Sequence, residues 1–111
     1  MCIRDRDRSI ILTLTEFGRT VRINGTGGTA HGYGSAGLLA GGLISNSRVI
    51  SEWPGLAEGD QFDNRDLMST IDYRSVCAAC IENALGLDHD IIADKVFFTP
   101  KLPRVYDYIF S

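Results

Sequence analysis

A chain of 111 residues is long enough for one domain and too short for two, and 44% hydrophobic with 23% charged residues is ordinary globular composition that argues against disorder. A formal net charge of -3 gives no support for nucleic-acid binding, which asks for a basic excess gathered on one face. Three cysteines are too few for a disulfide framework, and no apolar run approaches the roughly 20 residues of a membrane span.

The chain opens MCIRDRDR, in which Arg and Asp alternate instead of forming a patch. This stretch has charge but no apolar segment or small-residue cleavage site of a signal peptide. Met1 to Arg6 reads as translated sequencing adapter. Residues 1–8 are therefore expected to be an artefactual or disordered lead-in. Residues 9–111 are expected to be the C-terminal portion of a single domain, with the N-terminal part of that domain missing. A sheet cut after its first strands would expose edges and an apolar face, so poor solubility is expected of the isolated chain.

Ser9 to Thr15 (SIILTLT) is β-rich and almost continuously apolar, as expected of a strand buried on both faces in a parallel sheet. It delivers Thr15-Glu16-Phe17-Gly18-Arg19-Thr20 at its C-terminal end. Residues 24–37 then hold six glycines, which permit close backbone approach and cannot sustain a helix. Leu38 to Ala40 reads as a short central strand and Ser47 to Ile50 as another. Glu52 to Leu56 reads as a Pro-Gly turn, and residues 57–66 as an acidic surface loop. The strongest element is a helix from Tyr73 to Leu85. Asp72 is its N-cap, Gly86 its C′ residue with Leu87 as the hydrophobic contact beyond, and Tyr73, Val76, Cys77, Cys80, Ile81, Ala84 and Leu85 form its apolar stripe. Further on, Ile91, Ile92, Val96, Phe97 and Phe98 are expected to be buried, and Val105 to Phe110 to form a closing strand.

The residues able to do chemistry cluster early. A carboxylate at the end of a buried strand is costly unless solvated, paired or bound to a cation, so Glu16 asks for a partner, which a divalent metal or Arg19 can supply. His31 lies among small residues in Gly28-Thr29-Ala30-His31-Gly32, which leaves its imidazole open for metal ligation or for a plain solvated role. Arg19 and Arg22 flank the glycine loop and suit a sulfate, phosphate or carboxylate group. Gly32 to Gly37 matches G-x-G-x-x-G but lacks the preceding strand and following helix of a dinucleotide site. Cys77 and Cys80 form C-x-x-C in mid-helix on the apolar stripe, away from the N-terminal dipole that activates a thiol, and read as core residues.

Taken in order, T-E-F-G-R-T, N-G-x-G-G-T-x-H-G, L-x-x-G-G, R-V-x-x-x-W-P-G-L, N-R-D-L and T-x-D-Y-R-x-V ending in L-G-L resemble the C-terminal part of a bacterial sulfatase-like family, domain of unknown function 1501. That family is similar to the alkaline phosphatase and sulfatase superfamily. The resemblance spans residues 9–87.

It implies an α/β fold, the C-terminal fragment of a doubly wound sheet with flanking helices. It also implies a metal-dependent hydrolase of sulfate or phosphate esters acting on a small-molecule or carbohydrate ester. Glu16 and His31 would be metal ligands for a divalent ion of unknown identity, and Arg19 an oxyanion contact, while the nucleophile would lie upstream. Phe17 stands where the superfamily motif has His, and Ala30 where the family usually has Asp, so one carboxylate of the implied constellation is absent. A non-catalytic binding or structural relative is the alternative. A periplasmic or exported location follows from the resemblance only.

Overall fold

The computed structural model describes residues 3–110. The adapter reading begins on Met1 and Cys2, which lie outside the described residues. The chain is mixed α/β, and its residues group into two compact units, each assembled from separated stretches of sequence.

The first unit draws on the chain up to Leu12, on Leu38–Arg48 and on everything from Asp72. Its longest element is the predicted helix, bounded as the capping residues require. A short turn, α1 (Ile3–Arg6), precedes it in the chain, and α2 spans Tyr73–Leu85. Asp72 is extended and its carboxylate accepts the Arg74 N–H at 2.9 Å. Gly86 closes the helix in the left-handed region (φ 69°), its N–H donating to the Glu82 carbonyl at 2.9 Å.

The face that α2 buries differs from the expected stripe. Ser75, Ala78 and Ala79 are buried, whereas Tyr73, Val76, Cys77 and Cys80 are half-buried and Leu85 is exposed. Small side chains let the following segment approach the helix, and closeness of packing outweighs side-chain hydrophobicity in choosing the face. That segment is α3 (His89–Ile91), continuing into a π-helical turn over Ile92–Val96 in which Phe97 N–H reaches the Ile92 carbonyl at 3.2 Å. Ala78, Ile92, Ala93 and Leu102 form the core, with Ile81 and Phe97 against it. Ile92 is the largest side chain fully enclosed, a burial worth about 1.5–3 kcal/mol.

The wider π turn also corrects the expected burial of its neighbours. An extra residue per turn swings side chains off the stripe, leaving Ile91, Val96 and Phe98 exposed while Ile92 stays inside. At the start of α3, His89 is buried with Nε2 2.7 Å from the Leu102 carbonyl, so this nitrogen carries the proton and donates. Val105 to Phe110 is not a strand. Asp107–Phe110 forms a 3₁₀ turn, held by Arg104, which bridges Glu82 at 2.7 Å and Asp107 at 3.3 Å.

Ser9 to Thr15 is likewise shorter and more exposed than expected. Only β1 (Ile11–Leu12) pairs, antiparallel to β4 (Leu39–Ala40), in the register Ile11↔Ala40 and Leu12↔Leu39. Ile11 and Leu14 are both more than half exposed. An apolar run signals burial only where other parts of the chain cover it, and here Ile10 and Leu12 are only half-buried.

The second unit comprises Thr13–Gly37 and Val49–Ile71. It contains β2 (Gly18–Arg19) and β3 (His31–Gly32), paired antiparallel. Residues 47–50 form no strand, and Val49 is 93% exposed with nothing to pack on. The expected surface loop at residues 57–66 is exposed in part, yet Gln61 and Asp66 within it are buried. Among the described residues no helix is long and apolar enough to cross a membrane.

Candidate functional site

The site grows from the β2–β3 ribbon. Asn24 makes the turn that folds the glycine-rich stretch back, its side-chain oxygen accepting from Thr26 N–H (3.1 Å), Thr26 Oγ1 (2.8 Å) and Gly28 N–H (3.1 Å). This local competition for backbone groups is what Asn does well in loops. The returning chain sets His31 opposite Arg19 and Gly32 opposite Gly18, with Thr20 N–H donating to the Ala30 carbonyl at 3.1 Å.

A second stretch fastens the outer side of β2. Residues Phe62 to Arg65 turn with Asp63 and Asn64 both at φ 53°, as a type I′ turn demands. Asp66 then bridges Thr20. Val21 N–H donates to Arg65 at 2.9 Å, Leu67 N–H to Arg19 at 3.4 Å, and Gly34 N–H to Leu67 at 2.8 Å. Here glycine is obligatory by space: a Cβ on Gly18 would run into the Gly34 backbone, and one on Gly34 would meet the Leu67 oxygen at 2.5 Å. Asp66 is 5% exposed and accepts from Arg65 Nε at 2.7 Å and Nη2 at 3.2 Å, and that contact holds the Arg65 guanidinium above its ordinary pKa. Sequence reasoning missed this clamp. The adjacent turn-formers Asp63 and Asn64 were the available signal.

Arg19 N–H also reaches the Gly34 carbonyl at 3.1 Å, so residues 31–35 curl around Arg19. The result is an open concavity of about 540 Å³ lined by Thr15, Glu16, Phe17, Arg19, His31 and Ser35. All three sequence-predicted site residues, Glu16, Arg19 and His31, therefore meet in one place, joined by Thr15, Phe17 and Ser35. Phe17 stacks on His31 with ring centroids 4.8 Å apart and planes 14° from parallel, while Phe17 stays 52% exposed. Arg22 lies apart, paired with Glu58 at 3.0 Å on the surface, a contact worth about 0–1 kcal/mol.

Two donor side chains of metal-binding type, the Glu16 carboxylate and the His31 imidazole, line the concavity. Among the described residues no group of three or more His, Cys, Asp or Glu is placed to hold a metal ion. Ala30, beside His31, offers a methyl group and its carbonyl is taken by Thr20.

The other motifs resolve plainly. Residues 32–37 start on the last residue of β3 and lead to β4 with no helix between, so the phosphate-cradling geometry of a dinucleotide loop is absent there. Cys77 and Cys80 are free and half-buried. Burial pushes both thiols up, Cys80 to about 11 with the neighbouring Cys77 adding to it, the opposite of an activated thiolate.

Comparison with curated proteins and with solved structures found no match. A family model described as "Protein of unknown function (DUF1501)" matches residues 6–90, which include the ribbon, the clamp and the whole of α2. The chain belongs to the DUF1501 family.

Proposed function

We propose that this chain is the part of a sulfatase-like, alkaline-phosphatase-superfamily protein that carries the oxyanion contact and part of the metal pole of a site hydrolysing sulfate or phosphate esters. The observation that carries the reading is the meeting of Glu16, Arg19 and His31 in one open concavity, from positions up to fifteen residues apart in the chain. Arg19 has no ion-pair partner among the described residues, and its planar guanidinium suits two oxygens of a tetrahedral ester. Thr15 and Ser35 add hydroxyl donors beside it.

Carboxylate oxygen and imidazole nitrogen suit a hard or borderline divalent cation. Two donors do not complete its shell, so the remaining ligands belong to groups outside the described residues. A bound cation would supply Lewis-acid stabilisation of developing negative charge. In this chain, Glu16 and His31 would hold it, and Arg19 would orient the ester's oxyanion. The doubly wound sheet of the superfamily and an exported location belong to the same proposal.

A second reading is a relative that binds such esters without turnover. Two observations favour it: Phe17 stacks on His31 where a further nitrogen ligand would serve a metal, and Ala30 supplies no carboxylate. The deciding experiment measures bound Mn²⁺, Ca²⁺ or Zn²⁺ in the full protein and in Glu16→Ala and His31→Ala, together with hydrolysis of 4-nitrophenyl sulfate and phosphate. Each substitution is expected to lower bound metal. Unchanged stoichiometry in both refutes the ligand assignment, and ester binding without turnover establishes the second reading.

A further inference from the structure

We infer that Asn24-Gly25 is a site of spontaneous modification: the Gly25 amide nitrogen attacks the Asn24 side-chain carbonyl carbon, and the chain ages there to aspartate and isoaspartate. The inference is independent of the ester-handling reading and concerns the turn that carries the β2–β3 ribbon.

Three observations lead there. The first is the dipeptide itself. Asn24 is the only Asn or Asp followed by glycine in the chain, and glycine has no Cβ to shield its nitrogen or to narrow its backbone freedom. The second is access. Both residues are exposed, a Cβ on Gly25 would meet nothing within 4 Å, and among the described residues no backbone acceptor takes the Gly25 N–H. The nucleophile is therefore neither walled in nor engaged. The third is the set of donors on the group under attack. Asn24 Oδ1 accepts from Thr26 N–H at 3.1 Å, Thr26 Oγ1 at 2.8 Å and Gly28 N–H at 3.1 Å. Negative charge builds on that oxygen as the carbonyl carbon becomes tetrahedral, and donors already aimed at it stabilise the charge as an oxyanion hole does.

The chemistry needs only water. A bond forms between Gly25 N and Asn24 Cγ as the Cγ–Nδ2 bond breaks, the Gly25 N–H proton leaves with the side-chain nitrogen as ammonia, and a five-membered succinimide remains. Water then opens the ring. Attack at the side-chain carbonyl gives aspartate, whose carboxylate accepts from the same three donors and keeps the turn. Attack at the main-chain carbonyl gives isoaspartate, which adds a methylene to the backbone between Asn24 Cα and the Gly25 nitrogen. The turn is closed by Asn24 N–H donating to the Gly28 carbonyl at 2.7 Å and Gly27 N–H donating to the Asn24 carbonyl at 3.2 Å. Isoaspartate lengthens the first closure and turns the second acceptor into a free carboxylate, so it loosens the ribbon that sets His31 opposite Arg19.

The test ages the full chain in warm neutral buffer and reads each asparagine by peptide mass spectrometry, with isoaspartyl methyltransferase labelling to score isoaspartate. Asn24 is expected to convert about tenfold faster than Asn46, Asn64 or Asn83, as one modest difference in barrier gives. Gly25→Ala, which has room for its methyl group, is expected to slow Asn24 about tenfold. Thr26→Val takes one donor from Oδ1 and is expected to slow it about threefold to tenfold, the worth of one hydrogen bond. Conversion of Asn24 no faster than that of the other asparagines overturns the inference. A rate that fails to fall in Thr26→Val overturns the part played by the donors. The isoaspartyl fraction is expected to exchange its Thr20 amide, bonded to the Ala30 carbonyl at 3.1 Å, faster than Asn24→Asp does, and equal exchange overturns the effect on the ribbon.

Discussion

Replacing Gly34 with alanine strikes the point where the ribbon and its clamp are held closest. The added methyl would stand 2.5 Å from the Leu67 carbonyl oxygen, 2.8 Å from the Met68 oxygen and 2.9 Å from the Leu67 carbon. All three are backbone atoms, so no rotamer change relieves the clash. The two segments must separate, which breaks the 2.8 Å hydrogen bond from Gly34 N–H to Leu67. Overpacking costs about 1–3 kcal/mol, and a buried donor left without its acceptor costs about 1–3 kcal/mol. Because one movement causes both, the total is expected at about 2–4 kcal/mol. The control is Gly25→Ala, whose methyl would meet nothing within 4 Å and which should stay within about 0.5 kcal/mol of wild type. Urea unfolding followed by Trp53 fluorescence gives both values. A Gly34→Ala midpoint indistinguishable from that of Gly25→Ala would refute the close approach of residues 34 and 67.

Three further outcomes are expected. Arg104 holds Glu82 below the usual carboxylate range, by its hydrogen bond first and its charge second. The stability this gives is present above about pH 4.3, the ordinary Glu value, and is lost as pH falls through the lower folded value. The stability gap between wild type and Arg104→Gln should therefore close in acid, and a gap of constant size from pH 6 to pH 3, roughly the range that spans carboxylate titration, would remove that pair from the account. Cys80, raised to about 11 by burial, should alkylate slowly in the native protein at mildly alkaline pH and readily in denaturant; equal rates by peptide mass spectrometry would contradict its burial. Asn64 sits at φ 53°, where an L residue pays roughly 1 kcal/mol and glycine pays about 0.5 kcal/mol of chain entropy instead. Asn64→Gly should thus stabilise by about 0.5 kcal/mol in the same urea assay, and a destabilised variant would rule out the type I′ turn.

What could be read in the sequence follows the range of the forces involved. Helix α2 was legible to the residue because its signals are local: an Asp that caps, a Gly that takes positive φ, and apolar spacing between them. Which face it buries was not, because Ala78 wins that role only by admitting Ile92 and Ala93, residues beyond the helix itself. The strands fared worse for the same reason. Ser9 to Thr15 has strand composition throughout, but only Ile11 and Leu12 find a partner, at Leu39 and Ala40. At the site, residue type singled out Glu16, Arg19 and His31, and the ribbon brings them to one concavity. The Phe17–His31 stack and the buried Asp66 stayed hidden, since each depends on a register between distant segments.

The division of the chain into interleaved units bears on how it reaches this state. The backbone leaves the first unit after Leu12, returns at Leu38, leaves again after Arg48 and returns at Asp72. Neither unit can be cut out as one uninterrupted piece, and a single cleavage after Gly37 or after Arg48 leaves both units missing a segment. Assembly is correspondingly uneven in time. Helix α2 and the turns after it join residues near in sequence and can organise early, whereas β1 cannot meet β4 until all of residues 13–38 have been looped out, and long closures of this kind govern the slow step of folding. A ribosome that has emitted only the glycine-rich loop has thus exposed the candidate site's residues before the Phe62–Leu67 clamp that fixes them exists.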